Sequence, residues 1–274
     1  MDRSKRLAES TDWFDSAVVK VQPSSCLFAF RPPRGLHLFL ALPHSRTQIA
    51  DRELMQRSAL RNSPGKGSRM QHDFILLDRS GPMQALWSEA LHSVNAYVKK
   101  ITEDQIDTGV TLVTFDKDGE EFKFEIIRDR IIPSTWKPVS SEDATPRGMT
   151  PLNDAIGRIV TLAKAGFNGT PYDKLALIIM TDGLENASRE YTHKAAKALL
   201  DDCRAKNWQV IFLGADFDNA TQAETYGNAA AQSITVGAAR LSVAMSVTAG
   251  KRRAYASRAA PMQYSEEEKR SFGK

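Results

Sequence analysis

From Asp73 onward the chain alternates between short unbroken apolar runs and longer stretches whose apolar residues recur every three or four positions. Phe74-Ile75-Leu76-Leu77 is such a run, as expected of a strand buried on both faces. Met83, Leu86, Trp87, Ala90, Leu91, Val94, Tyr97 and Val98 then return at helical spacing and give one apolar stripe. Residues 110–115 predict a second strand, Asp116-Lys117-Asp118-Gly119 a turn, and residues 121–127 a third strand with Phe122, Phe124 and Ile126 on one face. Strands two and three so placed form an antiparallel hairpin, with strand three at a sheet edge. Residues 128–147, with Pro133, Pro138 and Pro146, read as a loop. Leu152, Ala155, Ile156, Ile159, Val160 and Ala163 mark a second helix, residues 175–180 a fourth strand and residues 189–206 a third helix. A fifth strand at 209–213, a short helix at 218–227, a sixth strand at 231–236 and a C-terminal helix at 238–258 follow, then a charged tail at 265–274. Strands alternating with helices predict an α/β fold. It is a Rossmann-like, doubly wound, mainly parallel six-stranded sheet with one antiparallel edge strand and helices on both faces.

Residues 1–70 break this pattern. They hold five of the twelve prolines and 12 Lys/Arg against 6 Asp/Glu, and they show no sustained period. The rest of the chain holds 25 Lys/Arg against 27 Asp/Glu, so the net charge of +4 belongs to the N-terminal segment. Two readings of 1–70 stand: a disordered extension with one short helix at 47–60, or a segment outside the native protein, whose start would be Met70. The expected organisation is this extension, a domain over 71–236, and a C-terminal helix with its tail over 237–274.

A near-neutral main body argues against a nucleic-acid partner, which calls for a basic face or stripe. Lys251-Arg252-Arg253 reads as a solvated helix face. No run approaches the ~18 apolar residues of a membrane span, and the opening residues lack a signal-peptide core; a cytoplasmic protein is expected. Cys26 and Cys203 have no C-x-x-C partner, and the five histidines form no ligand pair, so neither zinc nor histidine-based metal chemistry is indicated. Trp87, Trp136 and Trp208 read as core or loop packing.

The chemistry lies at three junctions. Asp78-Arg79-Ser80-Gly81 ends the first strand, Gly148-Met149-Thr150-Pro151-Leu152 opens the second helix, and Thr181-Asp182-Gly183-Leu184-Glu185-Asn186 ends the fourth strand. Ligands of open α/β sheets gather at the carboxyl ends of the strands. Right-handed crossovers put the ends of strands one and four on one rim. Two carboxylates and two hydroxyls meeting there suit a hard divalent cation, which would also relieve the repulsion between the two aspartates. Each piece has a plainer reading. Thr150 before Pro151 fits a helix N-cap, Asp78 and Ser80 fit a turn bonded to its own backbone, and Asp182-Gly183 fits a turn. Asn186 and Ser188 read as turn and cap residues before the third helix, and Pro82 as a residue tolerated at a helix start.

The order of these motifs resembles the von Willebrand factor A-type domains over roughly residues 72–236. Asp78-x-Ser80, the hairpin, Gly148-x-Thr150-Pro151-Leu152 and Thr181-Asp182-Gly183 follow one another as in that family. The stretch 181–186 is similar to its intracellular bacterial and phage branch. The resemblance implies a metal-ion-dependent adhesion site, with Ser80 and Thr150 touching Mg2+ (or Mn2+) and Asp78 and Asp182 acting mostly through water. The coordination is completed by an acidic side chain of a protein partner. Pro82 stands where the family has a second serine, so one ligand is lost and weaker binding is implied.

The favoured expectation is therefore a non-enzymatic protein-binding module that recognises an exposed Asp or Glu through a bound cation, with no nucleic-acid or membrane partner. Two alternatives remain. One is a metal-dependent hydrolase or phosphoryl-transfer enzyme using the same carboxylates, for which no catalytic base, phosphate loop or nucleophile turn is found. The other is a structural scaffold with an inactive metal site.

Overall fold

The computed structural model describes residues 70–214 and 217–273. The extension, its helix at 47–60 and the question of Met70 as a start therefore fall outside the described residues. Six strands form one sheet in the order β3-β2-β1-β4-β5-β6. They are β1 (Gln71–Asp78), β2 (Gly109–Asp118), β3 (Glu121–Ile131), β4 (Lys174–Met180), β5 (Gln209–Gly214) and β6 (Ser233–Thr235). Every pairing is parallel except β2 with β3. The helices are α1 (Trp87–Glu103), α2 (Leu152–Ala165), α3 (His193–Ala205), α4 (Phe217–Thr225), α5 (Leu241–Ala256) and α6 (Glu266–Phe272). This is the α/β layout the periodicity predicts.

The unbroken apolar run of β1 serves two cores. Ile75 and Leu77 pack with residues of α1, α5 and α6 on one face. Phe74 and Leu76 pack with residues of α2 and α3 on the other. Neighbouring side chains of a strand point to opposite faces, so the middle of a central strand covered by helices on both sides reads as an unbroken apolar run. Gly119 closes the β2–β3 turn at φ +60°, a backbone region that glycine enters without steric penalty.

Several boundaries differ from the sequence expectation. β3 continues to Ile131, into the stretch read as a loop, across a register shift between Leu112 and Val113. α3 begins at His193 with Thr192 as its N-cap, four residues later than expected. A turn of 3-10 helix at Ala230–Gln232 takes the start of the expected sixth strand, and another at Ala238–Arg240 precedes α5. The charged tail forms α6, opened by a capping box in which Ser265 and Glu268 satisfy each other's backbone N–H. It is anchored by buried Phe272, whose carbonyl accepts from Gly237 N at 2.9 Å.

In the basic run Arg253 is solvated, but Arg252 is not. Arg252 is wholly buried beneath β1, where its Nε donates to Asp73 Oδ1. Tyr97 OH donates to the other oxygen of Asp73 at 2.9 Å, and Thr108 and Gln71 accept from the remaining guanidinium nitrogens. Two opposite charges out of water are tolerable only when paired and hydrogen-bonded in this way. Trp87 and Trp208 are buried and Trp136 is half-buried; Trp87 Nε1 donates to Ala144 O at 2.9 Å. Among the described residues no helix is long and apolar enough to cross a membrane.

Candidate functional site

β1 and β4 run side by side, with Leu77 opposite Met180, so Asp78 and Thr181 leave the sheet on the same rim. Asp78 is wholly buried there. Its Oδ1 accepts from Ser80 N at 2.7 Å and its Oδ2 from the Thr181 hydroxyl at 2.7 Å. The Thr150 hydroxyl donates to Ser80 Oγ at 2.8 Å, and both residues are wholly buried. Asp78, Ser80 and Thr150, separated by up to 72 positions, thus share one hollow.

Gly183 forms its lid. A Cβ built there would lie 2.2 Å from Thr150 Oγ1 and 3.1 Å from both Asp78 Oδ2 and Ser80 Oγ. These three oxygens of the expected set therefore lie together directly against the Gly183 backbone, which only the lack of a side chain lets approach so closely. Asp182, half-buried between Thr181 and Gly183, stands near enough for its charge to act on Asp78. Burial raises the Asp78 carboxyl to about 6. The bonds from Thr181 and Ser80 pull it down and Asp182 pushes it further up. Among the described residues no group of three His, Cys, Asp or Glu side chains is arranged to hold an ion. The donors here are two hydroxyls and a carboxylate with a second carboxylate beside them, an oxygen set suited to a hard cation.

Two plainer readings need correction. Thr150 does not cap α2: the N-cap is Pro151, no side-chain cap bond is made, and the Thr150 hydroxyl turns to Ser80 instead. Asn186 and Ser188 serve α2, not the third helix. Asn186 Oδ1 accepts from Thr150 N at 2.9 Å and Ser188 Oγ from Asp154 N at 3.1 Å. The turn reading of Asp78 holds through the Ser80 N–H. Pro82 is exposed in the first turn of a 3-10 helix, Gly81–Ala85.

Sequence reasoning missed the residues that hold this rim in register. Glu185 Oε2 accepts from Asn153 N at 2.8 Å, so with Ser188 the loop after β4 supplies acceptors for two N–H groups at the start of α2, and Asn186 holds Thr150 just ahead of it. Such N–H groups have no partner within the helix. Asp154, buried in the first turn of α2, returns the favour by accepting from Arg189, Glu190 and Tyr191 N at 2.7–2.9 Å. α3 starts after Thr192, whose hydroxyl accepts from Ala195 N. The one available signal was the cluster of Glu, Asn and Ser at 185–188.

Comparison with known proteins supports the fold alone. No protein-family profile matches the chain, and no curated protein does. Among solved structures, the pilus adhesin SpaC of Lactobacillus rhamnosus GG is similar at a TM-score of 0.53 and 12% identity, over 70% of this chain and 31% of that one. Proximal thread matrix protein 1 of the mussel byssus is similar at 0.48 and 16%, over 66% and 47%. The SpRpn10 VWA domain is similar at 0.43 and 13%, over 61% and 87%. The last two scores add no weight. The chain spans less than half the length of the first two proteins. The strand order, the single antiparallel edge and the helices on both faces make this a Rossmann-like, doubly wound α/β fold.

Proposed function

We propose that the rim formed by Asp78, Ser80, Thr150 and Asp182 binds a divalent cation, Mg2+ or Mn2+, through which a protein partner is held by an exposed Asp or Glu. The observation that carries this reading is that Asp78, Ser80 and Thr150 bring their side-chain oxygens together at one rim of the sheet, with Asp182 beside them. The cation would supply charge neutralisation for two neighbouring aspartates and an attachment point for a carboxylate. The surroundings favour a macromolecular partner over a small one. Met149 and Leu184 are exposed large apolar side chains, and each is next in sequence to a cradle residue, Thr150 or Gly183. Buried, desolvated apolar contacts of this kind supply much of the energy of protein interfaces. The bacterial or phage intracellular character implied by the sequence resemblance belongs to the same proposal.

A second reading, a scaffold whose site is inactive, is favoured by the bond from Thr150 to Ser80, since these hydroxyls satisfy each other. Thermal melts separate the two. An ion that binds only the folded chain raises Tm by mass action. Magnesium or manganese is expected to raise Tm of the protein, chelator to reverse the rise, and Asp182→Ala to abolish it. An unchanged Tm at millimolar cation rejects the proposed site.

A further inference from the structure

Beside the cradle lies an ion network that the proposed function does not use. Arg79, between Asp78 and Ser80, turns its side chain away from the hollow. Its Nε donates to Asp116 Oδ1 at 2.7 Å and one Nη to Glu125 Oε2 at 2.7 Å. The other Nη is buried with no acceptor among the described residues, so the guanidinium is held by these two contacts. Arg147 Nε donates to the second oxygen of Asp116 at 2.9 Å. Asp116 is wholly buried, with one arginine on each oxygen.

The same residues are joined through their backbones. Arg147 N donates to Arg79 O at 2.7 Å, Gly81 N to Gly148 O at 3.0 Å, and Lys117 and Met149 exchange both N–H bonds. Gly148 sits at φ +67°, and a Cβ there would lie 2.1 Å from Lys117 O, so this segment is pressed against the end of β2. Residues 147–149 are thereby laid between the exit of β1 and the end of β2, and the next residue is Thr150. The side-chain network and the backbone bridges together fix how far along its track Thr150 meets Ser80.

We infer that Asp116 and Arg147 are positioning residues for the cation cradle: by clamping 147–149 against Arg79 they set the Ser80–Thr150 pair, without touching the ion. This rests on the proposed cation site. Outer contacts of this kind, when removed, lower metal affinity by about ten- to a hundredfold.

The sign of one substitution separates positioning from plain electrostatics. Arg147→Gln removes a positive charge near the proposed cation, and charge alone would tighten binding. Positioning predicts the reverse, about tenfold weaker binding. The side chain of Arg147 is 39% exposed, so the variant should fold. Manganese binding is titrated by the electron paramagnetic resonance signal of the free ion, on protein kept well below its cation-free melting transition. Arg147→Gln is expected to bind Mn2+ about tenfold more weakly, with the cation-free Tm lowered by loss of one arginine from buried Asp116, and Asp116→Asn at least as weakly. If the unaltered protein binds Mn2+ but Arg147→Gln binds it equally or more tightly, the positioning role is overturned and the cation site stands. If the unaltered protein binds none, both fall.

Discussion

Gly183 shows how much one absent side chain can decide. Its backbone does not need a positive φ, yet a methyl group there would overlap Thr150 Oγ1 at 2.2 Å. Gly183→Ala is expected to keep the fold and lose the magnesium-dependent rise in Tm, read in paired melts with and without chelator. A variant that still responds to magnesium would show that the Thr150 oxygen is not a ligand of the ion. Asp78, Ser80 and Thr150 were legible in the sequence because oxygen-bearing residues at strand ends and helix starts stand out against apolar runs. The lid role of Gly183 was not, since an Asp-Gly pair after a strand reads equally well as a turn.

At the scale of elements, α2 and the loop after β4 cap each other. Glu185 and Ser188 accept from the first amides of the helix, Asn186 from Thr150 just before it, and Asp154 accepts from three amides of the loop. Bonds to a charged acceptor are worth more than neutral ones, and removing a buried acceptor leaves its donors unsatisfied. Asp154→Ala should therefore lower stability by about 3 kcal/mol in urea unfolding. A loss below about 1 kcal/mol would mean that the loop holds its place by other contacts. Periodicity locates helices well, but it assigns a cap to the nearest helix in sequence. Here the helix being capped lies more than thirty residues upstream, brought alongside only by the crossover.

For the whole molecule, the two-faced core was legible because a short, continuous apolar run suits a strand covered by helices on both sides. The charges buried beneath β1 were not, since Asp73 and Arg252 are 179 positions apart and each alone resembles a surface residue. His72 shares that end of the sheet, packed against Phe74 and Tyr172. Burial, then the charges of Arg130 and Arg252, lower its imidazole from 6.5 to about 3. The unfolded chain takes up this proton below about pH 6.5, whereas the folded chain stays neutral until about 3. More protons are then bound by the unfolded state across that window, so stability rises with pH through it. The contribution is whole above pH 6.5 and fades as pH falls toward 3; at pH 5 about 2 kcal/mol of it is gone. Comparing the protein with His72→Asn isolates this group from the carboxylates. The stability difference between the two should shrink by about 2 kcal/mol from pH 7.5 to pH 5, measured by urea unfolding. A difference that stays constant would place the proton elsewhere.

The pairing of Arg252 with Asp73 also bears on how the chain can be divided. The first strand carries an acid that, among the described residues, a residue near the end of α5 neutralises. A fragment trimmed at residue 236, where the family resemblance runs out, would retain every candidate cation ligand and still strand that acid in a dry interior. For anyone preparing a minimal version of this protein, the closing helix is part of the smallest piece worth expressing.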